Sequence, residues 1–206
     1  MQRQGFLIAL SFVAAGLSGI AEGAQSKPAD AEAKAMQAIE KAGGSVRRIA
    51  QNDERLQVDF HLSGSSVTND SVKPVRELRN VAQLHLGGTA IDDGALASVA
   101  ELETLTRLHL EKTGVTDKGL ALLRKLTNLE YLNLYGTAVT DAGLEQLTGL
   151  TKLRNLYLWQ TKVTESGVKA LRAALPELSV DSGWQLTETQ QTSEGKPHAG
   201  TEKKTP

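Results

Sequence analysis

The sequence contains no cysteine, and this absence excludes several kinds of chemistry. Without thiols the chain can form no disulfide, no thiolate metal site and no cysteine nucleophile. The formal net charge is −1 over 206 residues, so no bulk electrostatic field draws the chain to nucleic acid or to an acidic membrane. Phosphate-binding loops, serine-hydrolase elbows and zinc-protease motifs are missing as well. We therefore expect a protein without catalytic activity and without a cofactor.

Long apolar runs are also scarce. A run of moderate length covers residues 6–17, after Arg3 and before a group of small residues near position 23. This order of charge, apolar core and small residues is typical of a secretory signal peptide, which we assign to residues 1–24. The run is shorter than the roughly 20 apolar residues that a transmembrane helix needs. The sequence thus predicts a secreted or periplasmic protein with no membrane span after signal cleavage.

What the chain does contain is a phrase that returns with a period of 24 residues. Two leucine columns and one threonine column follow this period without a slip: Leu84, Leu108, Leu132 and Leu156; Leu86, Leu110, Leu134 and Leu158; and Thr89, Thr113, Thr137 and Thr161. A fixed period of this size indicates a solenoid, in which each repeat packs only on its neighbours. Because side chains alternate along a strand, both leucine columns point into the stack.

The rest of each repeat predicts a helix on the opposite side. Thr116 and Asp117 suit a helix start, and Leu120 and Leu123 follow at the spacing of one helix face. We predict five repeats over residues 58–181, with Phe60 and Leu62 in the two strand positions of a degenerate first repeat. A helix and a hairpin over residues 28–57 would form an N-terminal cap, and residues 185–206 have too few apolar side chains to order.

The phrase Leu-x-Leu-x-x-Thr-x-Val-Thr-Asp-x-Gly-Leu-x-x-Leu resembles the leucine-rich repeat family. More narrowly, it is similar to the bacterial class abundant in planctomycetes, in which threonine replaces the usual asparagine or cysteine. The resemblance implies an α/β horseshoe with parallel strands on the concave face and helices on the convex face. It also implies a non-catalytic module that binds another protein or peptide through the concave face, and we expect it to be a monomer.

The residues between the leucines should face solvent on the concave side, and they include a cluster of aromatic rings. Aromatic residues are only 4% of the chain, yet all three tyrosines and one of the two tryptophans fall here. Tyrosine and tryptophan are frequent binding hot spots and also stack on sugars. The candidate binding residues are Tyr131, Tyr135, Tyr157, Trp159, Arg107, Glu111, Asn133 and Asn155. A carbohydrate-binding solenoid remains the alternative to protein binding, and strand propensity alone would also place aromatics here.

Histidines and acidic residues form two further columns. His61, His85 and His109 are three of the four histidines, and a column of this kind could hold a divalent metal or sense protons. Only Asp59 and Glu111 flank the column as possible supporting carboxylates, so we interpret it as polar surface and assign no metal. Another column (Asp93, Asp117, Asp141 and Glu165) is better explained by the helix dipole than by calcium.

Overall fold

The computed structural model describes residues 29–183. The predicted signal peptide and the predicted disordered tail lie outside the described residues. Within this range the chain forms one sheet whose seven strands are ordered as they occur in the sequence. The first two strands are antiparallel and every later pair is parallel. The strands are β1 (Ser45–Arg48), β2 (Leu56–Asp59), β3 (Val81–His85), β4 (Arg107–His109), β5 (Tyr131–Asn133), β6 (Asn155–Tyr157) and β7 (Ser179–Asp181).

Helix α1 (Ala29–Lys41) precedes the hairpin of β1 and β2, and from β2 onward short helices lead from each strand to the next. These short helices are α2 (Asn69–Val72), α3 (Asp93–Val99), α4 (Asp117–Leu122), α5 (Asp141–Glu145) and α6 (Glu165–Ala174), with 3₁₀ turns at His61–Ser66, Lys73–Glu77 and Leu123–Lys125. From α3 onward, each helix packs against the helix of the following repeat. The predicted leucine-rich repeat solenoid is therefore confirmed. In residues 29–183 no helix combines the length and the apolar character that crossing a membrane requires.

The leucine columns form the core of the stack, as the period predicts. Leu84, Leu108, Leu132, Leu156 and Val180 are paired in register along the sheet. The four leucines of this column are fully buried, as are those of the second column from Leu86 to Leu158. Burial of one such side chain contributes about 1.5–3 kcal/mol, so this core provides the main force that holds the repeats together.

The threonine column satisfies backbone groups in the turn after each strand. The Thr137 hydroxyl donates to the carbonyl of Leu134 at 2.7 Å, and the other three threonines make the same bond. The turn also needs one left-handed residue per repeat, at Gly88, Lys112, Gly136 and Gln160. Glycine adopts this backbone conformation without strain, whereas Lys112 and Gln160 adopt it at some conformational cost.

A second ladder joins neighbouring repeats at the helix starts. The Asp117 carboxylate accepts from the backbone N–H and the hydroxyl of Thr140, at 2.8 and 2.6 Å. Asp93 binds Thr116 and Asp141 binds Thr164 in the same way. The glycine of each repeat makes room for this carboxylate, because a Cβ at Gly143 would lie 2.3 Å from Asp117 Oδ1. The acidic column therefore links repeats, in addition to facing the helix dipole.

The first rung of this ladder uses different side chains for the same purpose. Asn69 stands one period before Asp93, and Asp92 stands one period before Thr116. The Asn69 Oδ1 atom accepts from the Asp92 backbone N–H at 3.0 Å, and its Nδ2 donates to Asp92 Oδ1 at 2.6 Å. The backbone bond keeps the direction that it has in the other rungs and the side-chain bond is reversed, so both hydrogen bonds between the repeats are retained.

The predicted strand register of the first repeat is wrong by two residues. Val58 pairs with Leu84, and the Phe60 N–H donates to the carbonyl of His85 at 2.9 Å. Phe60 thus takes the second strand position, and Leu62 is 87% exposed. Val67 keeps the predicted position, one period before Ile91. The Val67 carbonyl accepts from the Ala90 N–H, just as the Ile91 carbonyl accepts from the Gly114 N–H. The two extra residues lie in the 3₁₀ turn between Phe60 and Val67.

The N-terminal helix and hairpin cover the open end of the first repeat. Ile39 of α1 is fully buried in the same core as Phe60. The Glu32 carboxylate accepts from the Arg79 guanidinium at 2.6 Å and from its backbone N–H at 3.0 Å. Helix α1 is thereby held against the loop that precedes β3, and it shields apolar surface that would otherwise be exposed to water.

Candidate functional site

The concave face consists of three columns of outward side chains. The strand pairing sets Gln83, Arg107, Tyr131 and Asn155 side by side, and next to them Asp59, His85, His109, Asn133 and Tyr157. A third column follows the strands at Gly87, Glu111, Tyr135 and Trp159. The structure thus brings together every candidate binding residue that the sequence predicts. By strand pairing, Asp59 rather than His61 is the neighbour of His85, which corrects the predicted histidine column.

Five rings form a continuous row across this face. Although His61 is out of register, its ring stacks on that of His85 with 4.7 Å between centroids and planes 17° apart. The row continues to His109 at 4.4 Å, to Tyr131 at 4.7 Å and to Tyr157 at 5.2 Å. His85 and His109 are direct neighbours on paired strands, which lie about 4.8 Å apart, whereas His109 reaches Tyr131 and Tyr131 reaches Tyr157 diagonally. The row therefore changes from imidazole to phenol in the middle of the sheet.

The aromatic patch lies on the C-terminal side of the face and consists of Tyr131, Tyr135, Tyr157 and Trp159. The rings of Tyr135 and Trp159 are 6.3 Å apart, and Trp159 is half exposed. Burial raises the pKa of the Tyr131 hydroxyl above its ordinary value, so the phenol is neutral at physiological pH. The indole of Trp159 rests over Gly183, where any Cβ would collide with it.

Two cations cover rings of the aromatic patch. The Arg107 guanidinium carbon lies 4.3 Å from the centre of the Tyr131 ring, and Lys112 Nζ lies 5.4 Å from that of Tyr135. Both distances suit cation–π contacts. The sequence analysis did not single out Lys112 as a binding residue. Its place immediately after Glu111 was the available signal.

The asparagines of the site differ in their contacts. Asn133 Oδ1 accepts from the Tyr135 backbone N–H at 3.0 Å, and this bond ends strand β5 and positions the ring that follows. Asn155 is exposed at the start of β6. Asn133 thus supports the aromatic patch from within, while Asn155 presents a solvent-exposed amide at the edge of the patch.

The N-terminal side of the face carries histidines and carboxylates instead. His85 Nε2 lies 2.9 Å from Glu111 Oε1, and His109 Nδ1 lies 3.6 Å from Glu111 Oε2. Burial opposes ionisation of Glu111, but the His109 and His85 rings outweigh it, and the pKa of the carboxyl falls well below its usual range. The Glu111 side chain in turn raises the pKa of His85. Glu111 thus pairs with both histidines, and these polar side chains contact one another on the N-terminal side of the face.

Asp59 completes the polar side of the face. It is only 8% exposed, its Oδ1 contacts His61 Nδ1 and accepts from the His61 backbone N–H at 3.0 Å, and its Oδ2 lies 3.7 Å from His85 Nδ1. Burial opposes ionisation here too, but hydrogen bonds from His61 and the charge of His85 lower the pKa of Asp59 below its ordinary value. His85 therefore stands between two carboxylates, one on each ring nitrogen.

Comparison with protein families agrees with this geometry. The model of the family described as Leucine Rich repeat matches residues 101–123 and 125–147, which are two consecutive periods. Residues 101–147 are therefore leucine-rich repeats, and proteins with such repeats are generally scaffolds for protein interaction. Comparison with curated protein sequences gave no match.

Solved structures of other solenoids resemble parts of the chain. An internalin, InlF, from Listeria monocytogenes is 25% identical over 53% of this chain and 30% of that protein, with a TM-score of 0.47. An LRR protein from Leptospira interrogans is 20% identical, and the match covers 52% of this chain and 27% of that one, with a TM-score of 0.42. The LRR ectodomain of the receptor kinase SOBIR1 from Arabidopsis thaliana is 18% identical over 74% and 91%, with a TM-score of 0.48. The chain thus spans about a third or less of the two bacterial proteins.

Proposed function

We propose that this chain is a secreted or periplasmic interaction module that binds another protein or peptide through its concave face and performs no chemistry of its own. The observation that carries the proposal is the aromatic patch, because four partly exposed rings from two neighbouring repeats form two adjacent pairs, Tyr131 with Tyr157 and Tyr135 with Trp159. The proposed binding residues are those of the patch together with Arg107, Glu111, Asn133 and Asn155. We further propose that the module is monomeric and belongs to the planctomycete-type class of 24-residue repeats.

The patch suits a protein partner for reasons of energy. Tryptophan, tyrosine and arginine are the residues most enriched in binding hot spots. The Tyr131 and Tyr157 rings contact each other, and Arg107 covers Tyr131, so these side chains lose little conformational freedom when a partner binds. The charges of Arg107 and Lys112 favour a partner segment that carries carboxylates beside its apolar side chains.

Affinity capture with matched variants tests the proposal. The wild-type chain serves as bait in an extracytoplasmic extract of the native host, beside a Tyr157→Ala, Trp159→Ala double variant and a Glu145→Ala control on α5. We expect a defined partner that the wild type and the control capture and the double variant loses. Equal capture by all three chains, or loss only with the control, contradicts binding through the concave face.

A carbohydrate ligand is the second candidate, and the exposed Asn155 amide beside the tyrosine rings favours it. Sugars stack on aromatic faces while their hydroxyls bond to nearby amides. A glycan array probed with the wild type and with Tyr157→Ala separates the two. A specific glycan signal that is lost in Tyr157→Ala, together with no captured protein, would support a carbohydrate ligand and contradict a protein partner.

A further inference from the structure

We propose that His85, His109 and Glu111 form a binding site for a divalent first-row transition metal such as Zn²⁺. The three side chains come from two neighbouring repeats, and their ligand atoms all lie within 4.8 Å of one another. The site adjoins the aromatic patch at His109 and shares Glu111 with the proposed binding residues, but it does not depend on the proposed protein partner. Two imidazoles and one carboxylate are a ligand set that suits zinc, copper, nickel or iron rather than calcium or magnesium.

The distances fit a metal of this size. Zinc binds histidine nitrogen and carboxylate oxygen at about 2.0–2.2 Å, so two ligand atoms of a tetrahedral site lie about 3.4 Å apart. The observed separations are 2.9 Å from His85 Nε2 to Glu111 Oε1 and 3.6 Å from His109 Nδ1 to Glu111 Oε2. The Glu111 carboxylate thus lies within reach of both imidazoles, at distances on either side of this value. All three ligands belong to the outward columns of the concave face.

One carboxylate oxygen of the cluster lacks a hydrogen bond. Glu111 Oε2 is the single side-chain oxygen or nitrogen buried without such a partner in the part of the chain that the structure describes. Burying an ionised oxygen in this way is costly, and a bound cation would remove the cost. The chain has also left room for this side chain, because a Cβ at Gly87 would lie 2.4 Å from both Glu111 Cδ and Oε1.

Asp59 is placed to orient one of the ligands. Histidines that bind metals through one ring nitrogen usually direct the other toward a carboxylate or a carbonyl. His85 Nε2 faces Glu111, and His85 Nδ1 faces Asp59 Oδ2 at 3.7 Å. When a metal takes the lone pair of Nε2, the proton of the neutral ring lies on Nδ1, on the side that faces the Asp59 carboxylate. We assign Asp59 as a positioning residue of the site and not as a ligand.

A second group of potential ligands, made of Asp59, His61 and His85, lies beside the first. There the carboxylate is already engaged, since Asp59 Oδ1 accepts from the His61 backbone and contacts its ring. His61 is also the more exposed histidine, at 40% for its side chain against 23% for His109. The ion is therefore assigned to the group with the unsatisfied carboxylate oxygen.

Calorimetric titration of the metal-stripped full chain with ZnCl₂ tests the site. We expect one zinc ion per chain, and more than about a hundred-fold weaker binding in His109→Asn and in Glu111→Gln, because loss of a ligand exceeds the 10–100-fold typical of supporting residues. Asp59→Asn should weaken binding about ten-fold. His61→Asn and His198→Asn are the matched histidine controls, and both should bind as the wild type does.

Gly87→Ala gives a second test in which all three ligand residues are retained but one of them is shifted. The new methyl group displaces Glu111, so zinc binding should weaken about ten-fold or more, while circular dichroism and thermal unfolding without metal report an unchanged fold. The absorption spectrum of bound Co²⁺ reports whether nitrogen and oxygen ligands surround the ion. Absence of saturable zinc binding, or loss of binding in His61→Asn but not in His109→Asn, overturns the assignment, as does wild-type affinity in Glu111→Gln.

Discussion

The two outer surfaces of the stack differ in how much they change from repeat to repeat. At the helix starts the same three side chains return: an aspartate, the threonine it binds in the next repeat and the glycine that makes room for it. On the concave face, in contrast, one strand position carries His85, His109, Asn133 and Tyr157 in successive repeats, and the position two residues earlier carries Gln83, Arg107, Tyr131 and Asn155. Contacts that join repeats must repeat, whereas side chains that face water are free to acquire a binding role.

The largest effect should come from the core, which is common to both halves of the stack. Leu110→Ala and Leu134→Ala each remove a fully buried side chain, and each should lower the free energy of unfolding by about 2–5 kcal/mol. Chemical denaturation measures both. Since the two layers are equivalent, clearly unequal losses of stability in the two variants would show that the repeats are not interchangeable in packing.

Next in size is the ladder at the helix starts. In Gly119→Ala and Gly143→Ala the added methyl group would lie 2.4 and 2.3 Å from the carboxylate oxygens of Asp93 and Asp117. Each substitution should cost about 1–3 kcal/mol of stability, because the carboxylate must leave its hydrogen bonds or the helix must shift. Gly149→Ala is the control, since no atom lies within 4 Å of its Cβ position. Equal stability of all three variants would contradict the role given to the ladder.

Binding should depend on the concave face and vary along it. Truncation of Tyr131, Tyr157 or Trp159 to alanine should each cost more than about 1 kcal/mol of affinity for the captured partner, with stability nearly unchanged. Gln83→Ala, in the same column as Tyr131 but on the polar side, should cost less. The measurement is calorimetry with the purified partner, and equal small losses at every position would mean that the aromatic patch is not the binding site.

The smallest effect concerns the rung that differs from the others. The Gly94 backbone N–H and the Asn69 side chain hold the pKa of Asp92 below its ordinary value. A carboxylate with a lowered pKa stabilises the fold above the unfolded value of about 3.9, and this contribution is lost as pH falls through the folded pKa. In Asn69→Ala the pKa of Asp92 should rise while staying below its ordinary value, because Gly94 still donates. An NMR titration measures it, and an unchanged pKa would show that the rung is not formed in solution.

The sequence predicted the core and the helix starts because both follow from local pattern. Leu108 and Leu110 alternate as a strand requires, and Thr116 stands where a helix needs a cap. It missed the longer turn of the first repeat, since two added residues shift the strand without disturbing the position of Val67. It also missed the role of the glycine in the ladder, because the carboxylate that needs the room stands 26 residues earlier.

The sequence by itself determined the 24-residue period, the two leucine columns, the threonine turns and the set of residues that face outward, since each of these depends on alternation along a strand or on spacing along a helix. Only the tertiary structure decided which outward side chains touch. His61 reaches His85 although it is out of register, Glu111 lies over Gly87, and Arg107 covers Tyr131. These contacts join residues on neighbouring strands, and their geometry depends on side-chain reach and on the length of each turn, which a repeating pattern does not specify.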